Sequence, residues 1–108
     1  MKSNSKKFSD RLVEVKYYEG NFPVSSVVAT IPRIAMYTSY YKQNVSSRVV
    51  PVLVVIYKNK ELSPEFLSNF DDRVATLKQN NESLDRFKYV FIKYEELAEF
   101  DVRELLKR

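Results

Sequence analysis

Apolar and polar residues alternate from Asp10 to Tyr18. Successive side chains of an extended strand point to opposite faces. Val13, Val15 and Tyr17 therefore share one face, and Leu12, Glu14, Lys16 and Tyr18 share the other. The pattern predicts a strand over about Arg11–Tyr18, ended by the turn signal Glu19-Gly20-Asn21 and the loop residues Phe22-Pro23. The spacing then lengthens. Val27, Ile31, Ile34, Ala35, Thr38 and Tyr41 recur every three or four residues, which is the apolar stripe of a helix. Pro32 conflicts with a helix interior, because it lacks an N–H and its ring meets the preceding turn. Either the helix starts near Thr30 with Pro32 in its first turn, or a turn of helix from Ser25 precedes a kink. The main helix is expected over Ile31–Gln43.

After the polar loop Asn44–Arg48, the run Val49–Tyr57 is almost wholly apolar and rich in β-branched residues. Such a run reads as a strand buried on both faces, which implies parallel pairing with helices on either side. Pro51 belongs near its beginning, since it cannot donate to a ladder. Lys58-Asn59-Lys60 is a loop. Ser63-Pro64-Glu65 starts a second long helix, with a capping hydroxyl, proline in the first turn and a carboxylate beside it. Phe66, Phe70, Val74 and Leu77 carry its stripe to about Lys78. Gln79–Ser83 is a loop, Phe87–Tyr94 alternates as a third strand, and a short helix is expected within Glu95–Lys107. The order β-α-β-α-β-α with right-handed crossovers implies a small three-layer α/β domain with a mainly parallel central sheet. Three strands leave exposed edges, which a second copy or a partner protein completes unless charge blunts them. Met1–Ser9 is expected to be a mobile basic arm, ahead of one domain spanning residues 10–108.

Composition narrows the chemistry. The 108 residues suit one domain and include neither histidine nor cysteine. Disulfides, thiolate or imidazole metal sites and histidine-based catalysis are excluded. A metal would be a hard ion held by oxygen. Proton transfer would fall to carboxylates, lysines or tyrosines. One glycine, Gly20, leaves no Gly-rich phosphate loop. The longest apolar run, Val49–Ile56, is too short to cross a bilayer, and the N-terminus has no apolar signal segment. A cytoplasmic protein without membrane association is expected. The net charge is +4, divided as +7 over residues 1–60 and −3 over residues 61–108. A basic first half suits a phosphate-bearing partner.

The strand Val13-Glu14-Val15-Lys16, followed by a helix and a fully apolar strand, resembles the second half of the PD-(D/E)XK (restriction-endonuclease-like) nuclease superfamily. The similarity covers about Arg11–Tyr57. The helical stretch Arg33–Tyr41 looks like the helix that follows the catalytic strand there. The resemblance implies that the Glu14 carboxylate and the Val15 carbonyl hold Mg²⁺. The metal would activate water and neutralise charge on the scissile phosphate. It also implies that Lys16 orients the water and stabilises the transition state. Glu14 and Lys16 are the catalytic candidates, and Glu14, Val15 and Asp10 the metal candidates. The family carries an Asp on an adjacent, earlier strand. Here thirteen residues precede Glu14 and Asp10 is the sole upstream acid. Four extended residues put Asp10 roughly 13 Å from Glu14. The chain is then part of a split domain, a relative that binds without cutting, or an accidental likeness.

Lys6, Lys7, Arg33, Lys42, Lys58 and Lys60 are candidates for a phosphate-contacting rim, with Tyr40 as an exposed stacking ring. Each also has an ordinary reading. Lys42 suits a helix C-terminus and Lys58 and Lys60 a solvated strand end. Tyr37 and Tyr41 are expected to pack against the sheet. Asp71-Asp72 and Glu95-Glu96 read as solvated faces rather than metal sites. The leading expectation is a nucleic-acid-associated protein, with DNA as partner, and a Mg²⁺-dependent endonuclease if active. The alternative is a non-catalytic protein-interaction or DNA-binding module that pairs its small sheet with a partner or a second copy as a homodimer.

Overall fold

The computed structural model describes residues 10–99. The elements are β1 (Asp10–Glu19), α1 (Val24–Val28), α2 (Ile31–Asn44), β2 (Val49–Lys58), α3 (Pro64–Asn80) and β3 (Lys88–Lys93), with 3₁₀ turns at Glu82–Leu84 and Tyr94–Glu99. The three strands form a parallel sheet in the order β1-β2-β3. This is the expected small α/β domain. The expected arm, Met1–Ser9, and all but the first residues of the expected last helix lie outside the described residues.

Pro32 is accommodated by both of the alternatives above at once. A separate turn of helix, α1, precedes α2, and Pro32 falls in the first turn of α2, where its missing N–H is not needed. Pro51 is the third residue of β2, opposite Leu12 of β1. The pairing with β3 begins only at Val52. At Pro51, β2 therefore has a neighbour on one side only. The expected third layer is not seen among the described residues, because α2 and α3 both lie on one face of the sheet. Strands added in sequence order by crossovers of the same hand put their helices on the same side. Accordingly Ile31, Ile34 and Ala35 of α2 and Phe66, Phe70 and Val74 of α3 share one buried cluster with Leu53, Val55 and Tyr57 of β2. Rings tighten it. Phe70 meets Tyr89 and Phe91 edge-on, with centroids 4.7 and 5.2 Å apart.

The opposite face of the sheet is also apolar. Val50, Val52, Val54, Val90 and Ile92 are buried there as a second cluster. At its β1 margin Val13, Val15 and Tyr17 remain 45%, 57% and 50% exposed. The two faces of β1 thus differ: charged residues under the helices, apolar residues on the open side.

Candidate functional site

Glu14 and Lys16 sit in the middle of β1, level with Leu53 and Val55 of β2. They lie on the face that α2 crosses. Arg33, in the first turn of α2, donates from its guanidinium to Glu14 Oε1. Lys16 Nζ lies 3.9 Å from the same oxygen. The result is one carboxylate between two cations. The side chains of Glu14, Lys16 and Arg33 are 29%, 33% and 44% exposed. Water screens pairs of this kind, and each contributes only about 0–1 kcal/mol to stability. The cluster adds little to stability, and its net positive charge faces solvent.

Asp10 does not join this group. It is buried at the start of β1, where its backbone N–H donates to the Arg48 carbonyl at 3.1 Å and its Oδ2 accepts from the Tyr41 hydroxyl at 2.9 Å. Asp10 and Glu14 face the same way, but four strand residues separate them by roughly 13 Å. Among the described residues no three acidic side chains come together. A hard cation such as Mg²⁺ takes about six oxygen ligands in near-octahedral geometry. Glu14, already held by two cations, and Asp10, held by Tyr41, do not fit such a site on one chain.

The basic candidates do not form one continuous rim. α2 runs back across the sheet, so Lys42 lies at the end where the strands begin, with its Nζ 3.4 Å from Asp85. Lys58 and Lys60 lie at the other end. Lys58 Nζ stands 4.8 Å from the Tyr94 ring centroid, and Lys60 Nζ stands 5.0 Å from that of Phe22 and 5.4 Å from that of Phe66. Lys6 and Lys7 lie outside the described residues. Tyr40 is exposed, as expected. Tyr37 is a correction: it is exposed too, at 51%, instead of packing on the sheet. It is rotated about 60° around the helix from Ile34 and about 100° from Thr38, the two buried residues on either side of it. An open groove of about 620 Å³ between α2 and the α3–β3 connection, lined by Met36, Ser39, Gln43, Asn81 and Asp85 among others, does not include Glu14 or Lys16.

The sequence pairs Glu14 with Lys16 and places Arg33 in a separate basic rim, and gives no direct sign that Arg33 and Glu14 meet. The available signal was topological: a right-handed crossover from β1 lays the following helix over one face, and Arg33 is in that helix. The Tyr41–Asp10 bond was missed for the same reason. No family model, curated protein or solved structure matches the chain. The PD-(D/E)XK likeness therefore rests on the Glu-x-Lys strand and the order of elements. No helix among the described residues is long and apolar enough to cross a membrane.

Proposed function

We propose that this chain is a cytoplasmic nucleic-acid-binding module that grips phosphate, with DNA as the expected partner, through Lys16 and Arg33. In this reading a single chain binds without cutting. The observation that carries it is the Arg33–Glu14–Lys16 cluster. A guanidinium fork and an ammonium converge on a half-exposed surface, and each is a standard phosphate ligand. Glu14 keeps the two cations gathered until a phosphate competes for them. The basic balance of residues 1–60 supports long-range attraction of a polyanion.

The test is fluorescence anisotropy of labelled duplex and single-stranded DNA at several salt concentrations. The double variant Lys16→Ala/Arg33→Ala is expected to bind more weakly than the wild type. Its log–log salt slope should be shallower by about 2, one for each lost phosphate contact. An unchanged affinity and slope would overturn the reading. Glu14→Gln is expected to preserve or tighten binding, since it removes a negative charge from the contact. Loss of binding in that variant would instead indicate a carboxylate-held cation bridging to phosphate.

A second reading, a protein-interaction module, is favoured by one specific observation. Val13, Val15 and Tyr17 present apolar surface along an edge strand.

A further inference from the structure

We propose that the outer edge of β1 joins two copies of this chain, antiparallel about a two-fold axis at Val15, so that two three-stranded sheets become one sheet of six strands. This goes beyond phosphate binding and does not depend on it.

β1 pairs with β2 along all ten of its residues, in continuous register and without a bulge. Among the described residues no strand lies on its other side. Edge strands are ordinarily protected by shortness, proline, bulges or charged side chains, and the charges of mid-β1, Glu14 and Lys16, carry opposite signs that a second copy can match. β1 has no proline, and its open face carries Val13, Val15 and Tyr17, all half-exposed. The edge is long, regular and apolar on one side.

Charge selects the occupant and the register. In a continuous sheet, residues directly opposite one another in an antiparallel pair project to the same face. A two-fold axis perpendicular to the sheet must therefore pass through a residue position, not between two. Centring on Glu14 sets the two Glu14 carboxylates against each other. Centring on Lys16 does the same with two ammonium groups. Centring on Val15 places Glu14 of each copy opposite Lys16 of the other, Val13 opposite Tyr17, and Val15 opposite itself. Arg11 then comes opposite Glu19, again twice by symmetry. Opposite charges facing across strands stabilise a pair, and like charges directly opposite destabilise it. The two neighbouring registers are rejected by the same residues that favour this one. Such self-complementarity is what an isologous two-fold contact requires. The assembly would also bring Lys16 and Arg33 of both copies to one surface, because the helix layers stay on the same side.

The deciding experiment is sedimentation equilibrium of the full chain, with circular dichroism to monitor folding. The wild type is expected to dimerise. Glu14→Lys and Lys16→Glu are each expected to weaken the dimer by roughly tenfold or more, since each sets like charges opposite one another twice. An equimolar mixture of the two variants is expected to recover dimer as a heterodimer, because two ammonium groups on one copy then face two carboxylates on the other. A wild type that stays monomeric overturns the proposal. So does a dimer indifferent to both substitutions. Val15→Cys supplies a test that leaves the charges in place. The chain has no cysteine, so mild oxidation of this variant should yield a disulfide-linked dimer, whereas Val13→Cys, which faces Tyr17, should not. Absence of the Val15→Cys cross-link overturns the register. DNA binding is read separately, so a monomer that binds DNA overturns only this interface, and a dimer that does not bind overturns only the proposed function.

Discussion

The Tyr41 hydroxyl donates to Asp10 Oδ2 at 2.9 Å, tying the last turns of α2 to the first residue of β1 across 31 positions of sequence. The bond closes the β1-α2 unit at the end where the strands begin. The Arg33–Glu14 contact joins the same helix and strand further along. Two polar contacts therefore join α2 to the margin of the sheet, where β1 offers it charged side chains, the buried Asp10 bond being the stronger tie and the screened Arg33–Glu14 pair the weaker.

Replacing Tyr41 with Phe removes the donor to a buried carboxylate and is expected to lower the urea midpoint without changing the slope of the transition. The effect depends on pH. The hydrogen bond to Asp10, then burial, then the negative charge of Asp10 hold the Tyr41 hydroxyl above its ordinary value of 10.0. The folded chain thus keeps this proton more tightly than the unfolded chain does. The contribution is complete below pH 10.0 and disappears as the pH climbs through the raised folded value. The difference between wild type and Tyr41→Phe should be constant near neutrality and shrink at alkaline pH. A difference that grows with pH would show that the bond is not made in solution.

Much of this fold was legible in the sequence because its signals are periodic and local. The alternation around Glu14, the apolar run of β2 and the Ser63-Pro64 helix start each predict an element within a few residues of its observed limits. What was not legible is where helix faces land. Ile34 and Thr38 are buried while Tyr37 is exposed, and a tyrosine four residues before Tyr41 gives no sign of that. The partners of Asp10 and Glu14 depend on how α2 docks, which involves contacts 19 and 31 residues apart. No tripeptide pattern carries that information.

Phe70 anchors the helix-covered core. It is fully buried and meets Tyr89 and Phe91 edge-on. Phe70→Ala leaves a cavity between α3 and β3 and is expected to destabilise the fold by about 3–5 kcal/mol, measured by denaturant unfolding. Phe70→Leu retains most of the volume and should cost less. Equal effects of the two variants would mean that the site collapses around the smaller side chain.

Gly20 ends β1 with φ at 74°, and its N–H donates to the Lys58 carbonyl at 2.9 Å. An added Cβ would meet nothing within 4 Å. The cost of Gly20→Ala is therefore conformational, about 1–2 kcal/mol for a left-handed backbone. Gly20→Asn should be milder, since asparagine tolerates that region, as Asn59 does here at φ 61°. Thermal denaturation of both variants checks the order.

Two helix starts carry hydroxyl residues, but only one is capped by its side chain. Ser63 Oγ accepts from the Phe66 N–H at 3.0 Å. The Thr30 hydroxyl instead donates backwards to the Val27 carbonyl at 2.7 Å. Ser63→Ala is expected to cost about 1 kcal/mol by exposing an orphan helix donor, and Ser63→Asp to restore it. Thr30→Ala removes no cap, so Thr30→Asp should bring no comparable recovery. Calorimetric melting of the four variants separates the two roles.

The split of the basic residues bears on how a nucleic acid would lie. Lys16 and Arg33 converge on Glu14 at mid-strand, Lys42 is held by Asp85 near the strand starts, and Lys60 stands over Phe22 and Phe66 at the strand ends. A polyanion centred on the Glu14 cluster displaces weak, solvent-screened pairs. Lys42, whose pair with Asp85 is screened in the same way, lies at the strand starts away from that centre, and reaching Lys60 requires lifting the ammonium from two rings. Lys16→Ala and Arg33→Ala are therefore each expected to reduce the salt slope of DNA binding by about 1, and Lys42→Ala and Lys60→Ala by clearly less. Four single variants measured by anisotropy at several salt concentrations decide the matter. Equal slopes for all four would mean that the nucleic acid wraps from one end of the sheet to the other, with no centre at Glu14.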